Sequence, residues 1–180
     1  MPGEADVTQH HHAGAAQRFY NGCGPAGEHA AGAALVAHDP TAVPMAEDAV
    51  LVENIETMSA GTGLWQNATG GATGFSIHVP DPTRQSAGWL GMMERDGEPV
   101  LVAIRLKLDQ GRIVEAEHLI TGVREENVSR LVQPRGGLLS DVPETSRLPH
   151  DELIRIGASY YDALDDNDGS KMNFAADCER

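Results

Sequence analysis

Apolar and polar residues alternate most regularly between residues 73 and 121. Four runs there have the composition of β-strands: TGFSIHV, SAGWLGMMER, PVLVAIRLKL and RIVEAEHLIT. Every second residue of the third run is apolar, and these residues share one face: Val100, Val102, Ile104, Leu106 and Leu108. The fourth run has a matching apolar face: Val114, Ala116, His118 and Ile120. Asp96-Gly97 and Asp109-Gln110-Gly111 are typical hairpin turns, so the pattern predicts an antiparallel meander with one covered face.

Helical patterns stand on both sides of this meander. Residues 28–38 are rich in Ala and predict a helix that Asp39-Pro40 ends, and residues 49–56, AVLVENIE, predict a strand before a long Gly-rich connection. A second helix is predicted near the C-terminus, with His150 or Asp151 as its N-cap and with Leu153, Ile156, Tyr160 and Leu164 on its apolar side. The predicted organisation is a mobile segment 1–27, a domain 28–121, a linker 122–149 and a helical segment 150–180.

Two stretches of the chain align without a gap at an offset of 129 residues. Residues 35–51, LVAHDPTAVPMAEDAVL, match residues 164–180, LDDNDGSKMNFAADCER, with four identities in seventeen positions. Both stretches read as a helix end, an acidic turn and a short connector that leads into a strand. The pattern therefore predicts an internal repeat, whose second copy stops at the beginning of its first strand. Three interpretations stay open for this C-terminal segment: a fragment of a second domain, a helix docked on the first domain, or a helix exchanged with a partner.

Composition limits the classes of partner. The chain has 180 residues, 41% of them hydrophobic and 22% charged, which is ordinary for a globular protein. Its formal net charge of −14 argues against nucleic acid and anionic membranes, because both require a basic surface. The acidic N-terminus does not resemble a signal peptide, and Cys23 and Cys178 are predicted to be free thiols in a reducing cytoplasm.

The order of elements resembles the nuclear transport factor 2-like family, in particular its SnoaL-like branch. The resemblance is carried by a helix before a D-P-T turn, the run AEDAVLVEN, a Gly-rich loop with Trp and a four-strand meander. The resemblance covers residues 28–121, and residues 150–180 resemble the beginning of a second such domain. It implies an α+β fold in which a curved antiparallel sheet and its helices form a cone with an internal pocket. Members of the family include lyases, isomerases, hydrolases and proteins without catalytic activity, so the resemblance alone leaves function open.

Candidate chemistry follows from where the resemblance places polar residues in such a cone. His118 is predicted to point into an apolar pocket and to move a proton with the help of Asn54 or Glu53. Three further residues are predicted to contact a ligand: Trp65, Trp89 and Arg105. The alternatives are a core histidine, core tryptophans and a solvated arginine. His78 is predicted to lie on the outer surface, because it alternates with apolar neighbours.

Metal and cofactor motifs do not stand out. The run His10, His11 and His12 and the acidic positions 162–168 lack the geometry of a dedicated metal site, and we predict no cofactor. The predicted function is binding of a small organic molecule in the cone, with general acid–base catalysis. The alternative is a non-catalytic assembly module that forms a homodimer through the sheet face or the C-terminal helix.

Overall fold

The computed structural model describes residues 33–172 and residue 174. The chain divides between Leu139 and Ser140 into two compact units. His10, His11, His12, Cys23 and Cys178 lie outside the described residues, as does the whole of the predicted mobile segment 1–27. Within the described part, no helix is both long enough and apolar enough to cross a membrane.

In the part of the first unit that the structure describes, a curled sheet of seven strands forms the framework. The strands are β1 (Met45–Glu53), β2 (Glu56–Met58), β3 (Ala68–Gly70), β4 (Ser76–Asp81), β5 (Ser86–Arg95), β6 (Glu98–Asp109) and β7 (Arg112–Gly122). Their order is β2-β1-β7-β6-β5-β3, and β4 also pairs with β5. The α+β class is confirmed. The curled sheet is antiparallel except at one pair, because β1 lies parallel to β7 and makes the sheet mixed.

Short helices connect these strands, and further helical turns follow β7 along the chain. The helical segments are α1 (residues 33–36), α2 (Leu64–Asn67), α3 (Glu125–Val128) and α4 (Gly136–Leu139), with 3₁₀ turns at Pro40–Ala42, Ser129–Leu131 and Glu144–Ser146. The predicted linker 122–149 thus contains several helical turns. The long connection after β1 is also more structured than expected, since it contains β2, α2 and β3.

The predicted hairpins are present and follow from their turn residues. Asp96 and Gly97 have φ values of 54° and 82°, and Gln110 and Gly111 have 47° and 80°. Two consecutive residues with positive φ form a type I′ turn, whose twist matches that of the flanking strands. The same geometry ends β1 early, because Asn54-Ile55 turns the chain into β2 where a continuous strand to residue 56 was predicted.

One face of the sheet, which we call the core face, carries the alternate apolar residues of β6. Val102 is completely buried and Val100 nearly so, packed against Leu35 of α1 and against Leu64 and Trp65 of α2. A second cluster on this face contains Leu51, Leu108, Ile113 and Ala116. The opposite face, which we call the outer face, carries Arg105, Lys107 and Leu119.

The predicted apolar face of β7 needs one correction. The register between β6 and β7 shifts after the Lys107–Glu115 pair, so that Leu108 lies opposite Ile113. Val114 is the extra residue of this bulge and is only half-buried, whereas Ile113 is 3% exposed. Ile113 therefore takes the core position that the simple alternation assigned to Val114.

The second unit contains helix α5 (His150–Asp165) and a 3₁₀ turn at Gly169–Lys171. Pro149 occupies the N-cap position, one residue before the predicted cap, because a proline N–H is not needed at a helix start. Ala163 is buried, whereas three of the predicted apolar positions are more than 40% exposed: Leu153, Tyr160 and Leu164.

Candidate functional site

Five residues form one row across the core face, each opposite the next in the strand register. Glu53 of β1 pairs with His118 of β7, His118 with Ile104 of β6, Ile104 with Trp89 of β5, and Trp89 with His78 of β4. Directly opposite residues on neighbouring strands point to the same face of a sheet. The row therefore brings a carboxylate and two imidazoles onto the apolar face.

His118 lies at the buried end of this row. It is 6% exposed, and its Nδ1 atom has no hydrogen-bond partner in the described structure. The nearest acidic group is Glu53, whose Oε2 lies 3.6 Å from Nδ1, beyond direct hydrogen-bond distance. Burial lowers the pKa of His118, and the neighbouring carboxylate offsets part of this effect because it favours the imidazolium. The geometry describes a neutral imidazole facing a carboxylate at the edge of the core.

Glu53 is held in place by the loop that follows β2. Its Oε2 atom also accepts a hydrogen bond of 2.8 Å from the backbone N–H of Leu64, the first residue of α2. Gly63 makes this approach possible, since a Cβ there would lie 2.7 Å from Oε2 and 2.3 Å from Cε of Met58. Its φ of 62° also favours glycine. The sequence does not reveal this contact, because Gly63 is one of many small residues in the loop.

A small cavity lies beside His118. Its wall includes Leu35, Met45, Trp65 and Ile104, and its volume is about 30 Å³. One water molecule occupies roughly 30 Å³ of liquid, whereas sites for organic ligands measure about 300 Å³ or more. Trp65 and His118 both line this cavity, which is too small for an organic molecule unless its wall moves.

The far end of the row contains Trp89, Ser76 and His78. The indole Nε1–H of Trp89 donates to Ser76 Oγ at 2.8 Å, and Ser76 Oγ lies 3.2 Å from Nε2 of His78. The indole lies along its own strand over Gly91, where a Cβ would be 2.1 Å from the ring. The prediction that His78 lies on the outer surface is wrong, because its register opposite Trp89 places it on the core face.

Two predicted site residues lie elsewhere. The side-chain amide of Asn54 pairs with the backbone of Ile120, accepting from its N–H at 2.8 Å and donating to its carbonyl at 3.2 Å. This pairing uses both ends of the amide to fasten the β1–β2 turn to β7, so Asn54 does not assist His118.

Arg105 lies on the outer face, where its guanidinium donates to Glu117 at 2.7 Å and to Glu115 at 2.8 Å. These hydrogen bonds lower the pKa of both carboxyls. Arg105 therefore lies on the face opposite His118 and outside the cavity beside it, because even and odd positions of β6 point to opposite faces. No group of three or more His, Cys, Asp or Glu side chains within the described residues has the arrangement of a metal site.

Comparison with known proteins gives similarity at the level of structure. A family model described as a domain of unknown function (DUF8021) matches residues 146–180, and no curated protein matches the chain. Among solved structures, one similar chain is an NTF-2 like protein of unknown function from Burkholderia xenovorans. It is 14% identical with a TM-score of 0.44, and the match covers 68% of this chain and 97% of that one.

Two further solved structures are similar at the same level. One is provisionally described as a ketosteroid isomerase from Kribbella flavida, at 15% identity and a TM-score of 0.39, covering 78% of this chain and 96% of that one. The other is AclR from Streptomyces galilaeus, provisionally described as a hydroxylase, at 18% identity and a TM-score of 0.39. The match covers 74% of this chain and 91% of that one.

Proposed function

We propose that the core face of the sheet binds a small, largely apolar molecule and that His118 transfers a proton on it. The observation that carries this proposal is the buried Nδ1 atom of His118, which faces a carboxylate but makes no hydrogen bond. A buried polar atom without a partner costs about 1–3 kcal/mol. Such a cost is easier to explain at a site that acts on a ligand than in a core that only has to be stable.

The roles of the two groups follow from their positions. Glu53 faces Nδ1, so it orients the imidazole and stabilises the imidazolium that forms when His118 accepts a proton. The opposite ring nitrogen, Nε2, then exchanges the proton with the ligand. Trp65, Met45 and Ile104 supply the apolar wall that favours an uncharged molecule.

The volume of the cavity sets a condition on this proposal. Since it measures about 30 Å³, ligand binding requires side chains of the wall to move outward. Leu35 and Met45 lie on opposite sides of the turn at Pro40–Ala42, and their displacement would open the site towards α1. The expected ligands are accordingly small, with one group that can lose or accept a proton.

A test of proton transfer does not need the natural substrate. Cyclohexanone and 2-cyclohexenone are incubated with the protein in deuterated water, and deuterium incorporation next to the carbonyl is measured by NMR. We expect faster incorporation than in buffer and a loss of about 100-fold or more in the His118→Gln variant, the usual contribution of a general base. The Arg105→Gln variant, altered on the outer face, is the matched control. Equal rates for the protein and His118→Gln contradict the proposal for this class of substrate.

The second candidate function, a non-catalytic assembly module, is supported by a separate observation. The outer face carries an apolar strip of Leu90, Leu101, Ala103 and Leu119, with Leu119 58% exposed beside a shallow groove of about 280 Å³. Sedimentation velocity over a range of protein concentrations tests this candidate. A dimer that Leu119→Lys dissociates supports it, and a monomer at all concentrations rejects it.

A further inference from the structure

A groove of about 330 Å³ lies at the opposite edge of the sheet from β2. The backbone of β5 at Met92 and Met93 forms its floor, with the two side chains buried on opposite faces of the sheet, and the chain between Gly70 and Gly74 forms one wall. Leu131 and neighbouring residues of the segment after α3 form the other. We call it the methionine groove. Its volume falls in the range of sites for small organic ligands, and it is about ten times larger than the cavity beside His118.

Close backbone packing fixes both walls. A Cβ on Gly74 would lie 2.9 Å from the carbonyl oxygen of Val132, so the chain after α3 crosses directly over this glycine. The N–H of Thr73 donates to the carbonyl of Met92 at 3.1 Å, which fastens the other wall to the floor. The groove is therefore formed by ordered backbone rather than by loose side chains.

Glu94 is the charged residue that lines this groove in the described part of the chain. Its Oε1 atom accepts a hydrogen bond of 2.8 Å from the Thr69 hydroxyl, which in turn accepts from the N–H of Gly97 at 2.9 Å. The carboxylate lies against Gly70, where a Cβ would be 3.4 Å from Oε2. One oxygen is thus anchored by the protein, and the other lies at the groove wall without a hydrogen bond among the described residues.

We propose that the methionine groove binds a small apolar molecule that carries a protonated amine, with Glu94 as its counter-ion. The apolar side chains that line the groove, Pro99, Val128, Leu131 and Val132, account for the apolar part of the ligand. The anchored carboxylate accounts for the amine, because its unused oxygen accepts a charge-assisted hydrogen bond from an ammonium group. Neither Glu53 nor His118 lines this groove, so the proposal is independent of the function proposed above.

The test compares two probes that differ only in charge. Phenethylamine and 2-phenylethanol are titrated into the full chain labelled with ¹³C at the methionine methyl groups, and the signals of Met92 and Met93 are followed by NMR. We expect saturating shifts of both signals with the amine and binding about tenfold weaker for the alcohol, as the loss of one charged hydrogen bond predicts. The difference between the probes should shrink as salt is added.

Substitution of the carboxylate gives the second comparison. Glu94→Gln keeps the size of the side chain and should abolish the preference for the amine, whereas Glu98→Gln, on the same hairpin but outside the groove, should retain it. Three results overturn the proposal: no shift of Met92 and Met93, equal affinity for both probes, or an unchanged preference in Glu94→Gln. The Met45 signal, which comes from the wall of the other cavity, distinguishes binding there from binding in the groove.

Discussion

The buried imidazole of His118 should make the first unit less stable as the pH falls, and His118→Gln should remove this sensitivity. In the unfolded chain a histidine titrates near pH 6.5, whereas burial lowers the pKa of His118 in the folded protein. Between these two values the unfolded chain binds a proton that the folded protein does not. The free energy of unfolding is therefore fully present above about pH 6.5 and falls by about 1.4 kcal/mol for each pH unit below it, until the folded-state pKa is reached.

The attraction between the Glu53 carboxylate and a protonated His118 raises the pKa of His118. It therefore limits how far the loss of stability continues as the pH falls. Two unit charges about 4 Å apart interact by about 1 kcal/mol in water and about 4 kcal/mol at the effective dielectric constant of a protein surface. The Glu53 and His118 side chains are only 13% and 8% exposed, so the attraction lies above the value for water. Glu53→Gln removes it and lowers the pKa of His118 further, and the loss of stability should then continue to lower pH.

Both effects can be measured by urea unfolding at a series of pH values. Trp65 and Trp89 are the two tryptophans of the chain and both belong to the first unit, so their fluorescence follows this unit alone. The contribution of His118 is the difference in the slope of the free energy of unfolding against pH between the protein and His118→Gln. This difference cancels the contributions of the other titrating groups. If the two slopes coincide below pH 6.5, the folded protein protonates His118 as readily as the unfolded chain does, and the reasoning is wrong. If stability rises instead, the attraction of Glu53 exceeds the effect of burial.

Three further predictions concern backbone geometry. Gly63→Ala should destabilise the first unit by about 3 kcal/mol, since the new Cβ clashes with the Glu53 carboxylate and is strained at a positive φ. Gly97→Ala is the control, because Gly97 also has a positive φ but lies in open space, and it should cost only about 1 kcal/mol in the same urea assay. Ile55→Gly should stabilise this unit by up to about 1 kcal/mol, because a β-branched residue at φ 70° is strained and this side chain is 89% exposed; a lower urea midpoint would contradict the assignment of strain. Asp39→Ala removes the side-chain hydrogen bond of the turn in the first unit and should lower the urea midpoint followed by tryptophan fluorescence. Asp168→Ala removes the equivalent bond in the second unit and should leave this midpoint unchanged, while reducing the helical circular dichroism signal. A shift of the tryptophan midpoint by Asp168→Ala would show that the two turns do not act within separate units.

The meander was predictable because two local signals agree there. Strict alternation fixes which residues of β6 face the core, and Asp96-Gly97 and Gln110-Gly111 fix its pairing with both neighbours. Once these registers are known, Arg105 must face away from His118. The sequence analysis predicted a ligand contact for Arg105 because a family resemblance indicates only which polar residues are present in the sheet. The strand register is needed to assign each of these residues to one face of the sheet.

The remaining parts of the site depend on contacts between distant segments. The parallel pairing of β1 with β7 brings Glu53 to His118 across 65 positions of the chain, and no local pattern encodes it. A four-residue loop, PTRQ, joins β4 to β5 in place of a standard two-residue turn, so alternation alone gave the wrong face for His78. The closeness of Glu53 to α2 depends on Gly63, whose role becomes visible only from the side chains around it.

The internal repeat was predicted from four identities and stays a prediction, although the two segments share local turn geometry. His38 and Asn167 have φ values of 57° and 50°, and each is followed by an aspartate, Asp39 or Asp168, with nearly the same backbone. In both segments the aspartate Oδ1 accepts from the N–H and the hydroxyl of the residue two positions later, before a 3₁₀ turn.

The agreement extends to backbone bonds at the same offset of 129. The N–H of Asp39 donates to the carbonyl of Ala34 at 3.1 Å, and that of Asp168 donates to Ala163 at 2.9 Å. Ala34 and Ala163 are both buried, but the next residues differ, since Leu35 is 2% exposed and Leu164 is 58% exposed. In the first unit that leucine packs on the sheet and closes the cavity beside His118. The shared geometry is that of a local turn, the repeat itself stays a prediction, and residues 146–180 match a family model of their own.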